Sequence, residues 1–201
     1  GAMSAARAGS FGAPGFAGGP EGGSGPSSEI AAAALSGAAK IASDEARAGA
    51  TNALKLGDPQ GALGILSKAL AENPNNPALL NLRAQTYGRL GRWDDALKDA
   101  VSGLALAPGN MVLLNTKALS ENRTRRWRDA LATADMMIAA DPKNAWAYAN
   151  RAHAWGGLGD RDAMLADINR AAALDPRFQK AAADAILIQI PSDSDVMFLF
   201  P

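Results

Sequence analysis

Apolar residues along the chain follow a helical period that breaks off and resumes. Between Pro77 and Asn110, leucines and a tyrosine mark the apolar side of one helix, and a second apolar side starts at Trp93. The two patterns are separated by Leu90-Gly91, where the periodicity is lost. An apolar stripe at this spacing is typical of an amphipathic helix that packs on a neighbour. The pattern therefore predicts a hairpin of two helices in this stretch.

The breaks between helices recur with a fixed period. A step of 34 residues separates four prolines: Pro74, Pro108, Pro142 and Pro176. The same step separates three asparagines: Asn76, Asn110 and Asn144. Asn76 is placed to accept N–H bonds as an N-cap, and Pro77 fits the first helical turn. Asp58 and Pro59 have the same arrangement further upstream, so the sequence predicts a repeated helical hairpin.

Small and aromatic residues keep the same register. Alanines recur where two helices must cross closely: Ala84, Ala118 and Ala152 in first helices, Ala62, Ala96 and Ala130 in second helices. Trp93 and Trp127 also lie one period apart. With these columns the sequence resembles the tetratricopeptide repeat (TPR) family. The resemblance implies an all-α fold: a right-handed α-solenoid of about four TPR helical hairpins with flanking capping helices.

Composition and repeat together predict the domain organisation. Residues 1–28 are rich in Gly, Ala, Pro and Ser, which favours disorder. A TPR-like helical array is predicted over residues 29–190 and a short apolar tail over 191–201. The predicted units are 43–76, 77–110, 111–144 and 145–178, followed by a C-terminal helix at 179–190. The opening Gly1-Ala2-Met3 resembles an expression-tag remnant, so the compartment stays open.

The third unit departs from the family pattern at two positions. Glu121 occupies the second aromatic position, and we expect its carboxylate to reach solvent or an arginine. Arg125 replaces the turn glycine found in the other units at Gly57, Gly91 and Gly159.

The resemblance also implies that first helices line the concave side of the array. Residues four apart share a helix face, and the repeat aligns them between units. Three rows result: Arg47, Asn81, Asn115 and Ala149; Thr51, Gln85, Leu119 and His153; Lys55, Arg89, Arg123 and Gly157. The predicted partner-binding residues are Asn81, Gln85, Arg89, Asn115, Arg123, Trp146, Asn150 and His153. Amide side chains there would bind the backbone of an extended peptide and cations its carboxylates.

Composition excludes several functional classes. The chain has 20 basic and 20 acidic residues, no cysteine and one histidine. Thiolate chemistry and histidine-rich metal sites are therefore ruled out, and no catalytic set or cofactor motif is recognisable. The longest strongly apolar run is too short to span a bilayer. We expect a non-catalytic protein-protein interaction scaffold that binds a protein or peptide partner, without a cofactor, metal or membrane.

Two alternatives remain. One is a structural self-assembly module that forms a homo-oligomer. The weaker one is nucleic-acid binding through Arg123–Arg128, which places four arginines around Trp127. We favour a solvated turn for this cluster, and we expect no nucleic acid among the partners.

The end of the chain carries its own prediction. Val196 to Phe200 are consecutive apolar residues, and Asp193 and Asp195 precede them. An exposed run of this kind is prone to aggregation, so we expect it to be docked on its own array or in the groove of a neighbouring copy. The second arrangement predicts a weak homo-oligomer. The alternative is the first strand of a further domain, left frayed.

Overall fold

The structure is a computed structural model that describes the backbone of residues 26–187 and the side chains of residues 36–186. The chain divides into two compact regions, residues 1–38 and residues 39–201. In the first region, the described part is the start of helix α1 (Pro26–Lys55), which ends in the second region. The predicted disordered segment 1–28 lies outside the described residues, except for its last three, which begin α1. The features below belong to the second region, residues 39–201.

Helical hairpins with the predicted period build this region. Its first helices are α3 (Pro77–Arg89), α5 (Met111–Arg123) and α7 (Ala145–Gly157), each of 13 residues. Its second helices, each of 14 residues, are α2 (Pro59–Glu72), α4 (Trp93–Leu106), α6 (Trp127–Ala140) and α8 (Arg161–Leu174). A short 3₁₀ turn, Pro176–Phe178, leads into α9 (Gln179–Leu187). The predicted all-α solenoid is confirmed. The predicted end of the last helix at Ile190 and the tail 191–201 lie outside the described residues.

The asparagine and aspartate caps explain where helices begin. The Asn76 side chain accepts hydrogen bonds from the backbone N–H groups of Ala78 and Leu79, both at 3.1 Å. Asn110 caps α5 in the same way. Asp58 accepts from the N–H of Gly61 at 2.8 Å and caps α2. These side chains bond N–H groups that have no partner inside the helix, which confirms the predicted cap roles.

Alanines allow the helices to cross closely. All six predicted crossing residues, Ala62, Ala84, Ala96, Ala118, Ala130 and Ala152, are fully buried. Larger apolar side chains fill the space on either side of them, with Leu66, Leu79, Leu113 and Met137 also fully buried. Burial of this apolar surface is the main favourable term that holds successive hairpins together.

Ion pairs connect the two helices of a hairpin at the same register in two units. The Arg83 guanidinium binds the Asp99 carboxylate, with Nε–Oδ2 at 2.6 Å, and Arg151 binds Asp167 at 2.7 Å. In the third unit the corresponding positions hold Lys117 and Thr133, which cannot form this pair.

Glu121 supplies the missing carboxylate. Its side chain is buried, bonds the Lys117 ammonium, and accepts a hydrogen bond from the Thr133 hydroxyl at 2.7 Å. The expectation that Glu121 reaches solvent or an arginine is wrong. The carboxylate is needed inside the hairpin, because Lys117 would otherwise face a partly buried position without a counter-charge.

Candidate functional site

Successive first helices are connected by side-chain hydrogen bonds. The Thr116 hydroxyl donates to the Asn81 side-chain carbonyl at 3.0 Å, and the Asn150 amide donates to the Asn115 carbonyl at 2.8 Å. Each pair joins a residue of one unit to the next unit, and we call the two pairs the ladder. Part of the hydrogen-bonding capacity predicted for a partner is therefore used inside the array.

A groove runs over α3, α5 and α7 next to this ladder and encloses a cavity of about 430 Å³. Five of the predicted binding residues line it: Gln85, Arg89, Asn115, Arg123 and Trp146. The other lining residues are Ala84, Gly88, Trp93, Thr116, Leu119 and Ser120. We call these eleven residues the groove. Its volume falls in the range of ligand-binding clefts.

The three remaining predicted residues lie outside the groove lining. Asn81 and Asn150 belong to the ladder, and the Asn150 backbone carbonyl also accepts a bond from the Asn122 amide at 2.9 Å. His153 is only 1% exposed and its ring lies 5.8 Å from that of Trp127. These three side chains act on the packing between units, and His153 is too deeply buried to line the groove surface.

Trp93 is a groove residue that sequence reasoning missed. Its position at the start of a second helix indicated a packing role between helices. The ring does pack closely on α3, since a Cβ at Gly88 would lie 2.8 Å from it. Glycine at position 88 gives the ring the room to lie against α3, and both Gly88 and Trp93 line the groove. The combination of a tryptophan and a glycine at the hairpin turn was the available signal.

Arg123 is the most unusual side chain of the groove. It is half-buried, and its guanidinium carbon lies 5.5 Å from the centre of the Trp93 ring. Within residues 36–186, its buried Nε makes no hydrogen bond and no carboxylate pairs with it. Burial lowers the pKa of Arg123 below its ordinary value, although a guanidinium stays charged in proteins. The stacking on Trp93 offsets part of the cost of this buried charge.

Arg89 and Trp146 complete the polar and aromatic surface. Arg89 is exposed and donates a hydrogen bond of 3.4 Å to the Leu54 carbonyl. Trp146 is 36% exposed and stands edge-to-face on Phe178 with 5.0 Å between ring centres. The Arg177 guanidinium lies 5.5 Å from the Trp146 ring. Arg177 itself is paired with Asp175 and does not line the groove. Two arginines, Arg89 and Arg123, thus flank the aromatic surface of the groove, and no Asp or Glu is among the eleven lining residues.

The charge of Arg123 also acts on His153. Burial and, secondarily, Arg123 lower the pKa of His153 to about 4. The imidazole is therefore neutral at physiological pH. His153 therefore adds no second positive charge beside Arg123.

The arginine cluster at the α5–α6 turn has a different character. Arg125, Arg126 and Arg128 are exposed, and Arg126 faces Asp94 at 3.8 Å. The Trp127 ring packs on α7, where a Cβ at Gly157 would lie 2.4 Å from it. This contact takes up part of the aromatic surface that a stacked base would need, and the rest of the ring lines a shallow cavity with the three arginines and Asp129. The arrangement gives little support to the nucleic-acid alternative.

Metal sites and membrane spans are both absent from the described part of the chain. No group of three His, Cys, Asp or Glu side chains there is arranged to hold a metal ion. No helix there combines the length and the apolar character needed to cross a membrane.

Comparisons with known proteins point to the repeat that the sequence suggested. The sequence model of the tetratricopeptide repeat family matches residues 53–98. No curated protein sequence matches significantly. MamA from Desulfovibrio magneticus RS-1 has a similar structure, with 21% identity, a TM-score of 0.62, and coverage of 80% of this chain and 94% of that chain. A thermophilic TPR protein from Thermus thermophilus gives 24% identity and a TM-score of 0.64, covering 73% of this chain and 81% of that chain.

These likenesses confirm the resemblance to the tetratricopeptide repeat family and, from the solved structures, the fold. Proteins of this family are typically non-catalytic scaffolds. A repeat array of this kind supports a protein-interaction scaffold in the general sense, and the choice of partner has to be argued from the groove.

Proposed function

We propose that the protein is a non-catalytic scaffold that holds an extended segment of a protein partner in the groove. The observation that carries this proposal is the groove itself, an open cavity of about 430 Å³ that joins two tryptophans to two arginines. Tryptophan and arginine are the residues that most often dominate binding energy at interfaces. The neighbouring ladder fixes the spacing of α3, α5 and α7, so the groove is formed before a partner arrives.

The charge of the groove favours a partner segment with carboxylates. Arg89 and Arg123 both face the cavity, and Arg123 lacks a carboxylate partner within the described residues. A carboxylate placed there would form a charge-assisted bond to a guanidinium that is already desolvated. Gln85 and Asn115 are placed to bond the backbone of an extended segment.

Site-specific photocrosslinking in the protein's native cells tests the proposal. A photoreactive amino acid replaces Leu119 in the groove, and a second chain carries it at Val101, which is 47% exposed on α4 and outside the groove. We expect position 119 to give a discrete protein adduct that position 101 does not give. Loss of a central aromatic anchor costs about 2 kcal/mol, roughly thirtyfold in affinity, so Trp146→Ala should remove the adduct.

Lys143→Ala is the matched control for the binding variant, because Lys143 is exposed in the turn before α7 and outside the groove. It should leave the adduct intact. Identical adducts from positions 101 and 119, or an adduct that survives Trp146→Ala, would show that partners bind elsewhere.

A further inference from the structure

The groove needs a particular chemistry from its occupant. The Arg123 guanidinium calls for a carboxylate, because a partly buried cation without a counter-charge is unfavourable. Trp93, Leu119 and Trp146 offer apolar surface next to it. The best occupant therefore carries an acidic residue a few positions from aromatic or large aliphatic residues.

The chain's own C-terminal segment has this composition. Residues 192–201 read SDSDVMFLFP, with Asp193 and Asp195 ahead of Phe198 and Phe200. The acidic part matches the arginines of the groove in sign. The apolar part matches its tryptophan and leucine surface, and leaving this part in water would expose a large apolar patch.

The repeat register brings the chain out at the height of the groove. α9 begins at Gln179, one period after the first residue of α7, so Leu187 corresponds in register to His153 and Leu119. α9 residues share a core cluster with α7, and packed helices lie about 8–10 Å apart. By this spacing α5 is about 20 Å from α9. With the predicted helix continued to Ile190, the chain from Leu187 to Asp195 spans up to about 21–22 Å, and the Asp195 and Arg123 side chains extend this reach. Asp195 can therefore reach Arg123 of the same molecule.

We propose that residues 192–201 dock in the groove of their own chain, with the Asp195 carboxylate on the Arg123 guanidinium and the phenylalanines on Trp93, Leu119 and Trp146. A tether this short gives an effective concentration of the order of millimolar, so docking within one molecule outcompetes pairing between copies at micromolar protein. This inference rests on the proposed function, because it uses the same groove.

Thiol trapping in the full-length chain tests the docking, since the sequence contains no cysteine. One chain carries Gln85→Cys and Pro201→Cys, which place one thiol at the groove and one at the chain end. The matched control carries Ser102→Cys and Pro201→Cys, with the first thiol exposed on α4 outside the groove. After oxidised glutathione is added, we expect the disulfide within one molecule to form about tenfold faster or more in the groove pair, because docking holds the chain end at the groove more often than the tether alone would.

Tail variants show which chemistry holds the segment. Asp195→Asn and the double change Phe198→Ser/Phe200→Ser should each bring the groove pair close to the control rate. Ser192→Ala/Ser194→Ala should leave the difference in place. Equal rates in the two thiol pairs would overturn the proposal. So would a groove disulfide found in dimers whose fraction rises with protein concentration, because docking would then occur between copies.

The same variants separate this inference from the proposed function. Photocrosslinking from position 119 is repeated in the Asp195→Asn chain. An external adduct together with equal trapping rates would leave the proposed function standing and remove the docking. Fast trapping with the unchanged tail, together with no external adduct from either the unchanged or the Asp195→Asn chain, would support the docking and remove the external partner.

Discussion

Arg125 holds a backbone conformation that its side chain disfavours. Its φ is 58°, in the same left-handed region as Gly57 at 77°, Gly91 at 72° and Gly159 at 81°. A residue with a Cβ costs roughly 1–2 kcal/mol in this region, while glycine has no such cost. The hairpin turn requires this φ in every unit, and the third unit alone meets it without glycine among these four turns.

Arg125→Gly should therefore stabilise the protein. Relief of the strained φ exceeds the extra chain entropy of glycine in the unfolded state, and the net gain should be about 0.5–1 kcal/mol. Urea unfolding followed by circular dichroism measures it. Arg128→Gly is the control, because Arg128 lies inside α6, where glycine should cost stability while the same positive charge is removed. A gain in both variants would point to removal of positive charge as the cause.

His153 predicts how stability responds to acid. Its pKa is lowered to about 4 in the folded chain, whereas an unfolded histidine titrates near 6.5. The unfolded state therefore binds more protons between these values, so stability is full above pH 6.5 and falls as the pH drops towards 4. The loss should be about 3 kcal/mol when integrated over this window.

Chemical denaturation at a series of pH values between 4 and 7 measures this slope. The sequence contains one histidine, so His153→Gln should flatten the curve in this window. A wild-type slope that persists in His153→Gln would assign the acid sensitivity to carboxylates instead.

At the scale of the element, the third hairpin replaces a direct ion pair by a three-residue network. Lys117, Thr133 and Glu121 occupy the place that Arg83 and Asp99 fill in the second unit. The carboxylate has moved from the second helix to the first. The interior of the hairpin keeps its charge balance through a different residue.

Glu121→Gln should destabilise the protein by about 2 kcal/mol, because Lys117 then lacks its counter-charge in a partly buried position. Adding Thr133→Asp should recover most of this loss, since it returns the carboxylate to the position used by Asp99 and Asp167. Thr133→Asp alone should lose stability because two carboxylates would face one lysine. Equilibrium unfolding of the four chains gives the coupling energy, and additive effects would contradict the network.

The elements that sequence could predict are those fixed by local chemistry. Asn76 with Pro77 and Asp58 with Pro59 mark helix starts because capping and fixed φ act within one turn. Glu121 and His153 could not be placed in the same way. The burial of these two side chains depends on the residues that face them from neighbouring helices. For Glu121 those residues are Lys117 and Thr133, which replace the Arg–Asp pairs of the second and fourth units, and this replacement shows only when positions 16 apart in the sequence are compared.

The groove was predictable in part for the same reason. The period aligns Gln85 with Leu119 and Arg89 with Arg123, and all four of these residues meet at one cavity. The ladder was not predicted, because the pairs Asn81–Thr116 and Asn115–Asn150 are 35 apart, one residue beyond the repeat. Side chains in neighbouring columns compete for the same amide groups. The aligned positions alone do not tell which amide groups remain free to bind a partner.

At the scale of the whole molecule, stability passes from one unit to the next. The main contacts of α3 are with α2, α4 and α5, and those of α7 are with α5, α6 and α8. In such an array each hairpin contributes its own stability and the contacts with its neighbours. Damage at one contact between units should therefore stay local.

Gly157→Ala tests this. The added Cβ would lie 2.4 Å from the Trp127 ring, so the ring must move and the contact between α6 and α7 must open. Overpacking of this kind costs about 1–3 kcal/mol. Hydrogen exchange should become faster in α6, α7 and α8, whereas α2 and α3 should keep their protection, because they lie away from the altered site.

Gly64→Ala is the matched control for this experiment. Gly64 lies inside α2 with nothing within 4 Å of the position that an added Cβ would take, so alanine there should stabilise the helix by about 0.5–1 kcal/mol. Its effect on exchange should be slower opening confined to α1–α3. If Gly157→Ala instead accelerated exchange equally from α2 to α9, the array would unfold as one cooperative block, and the contacts between units would be stronger than the hairpins they join.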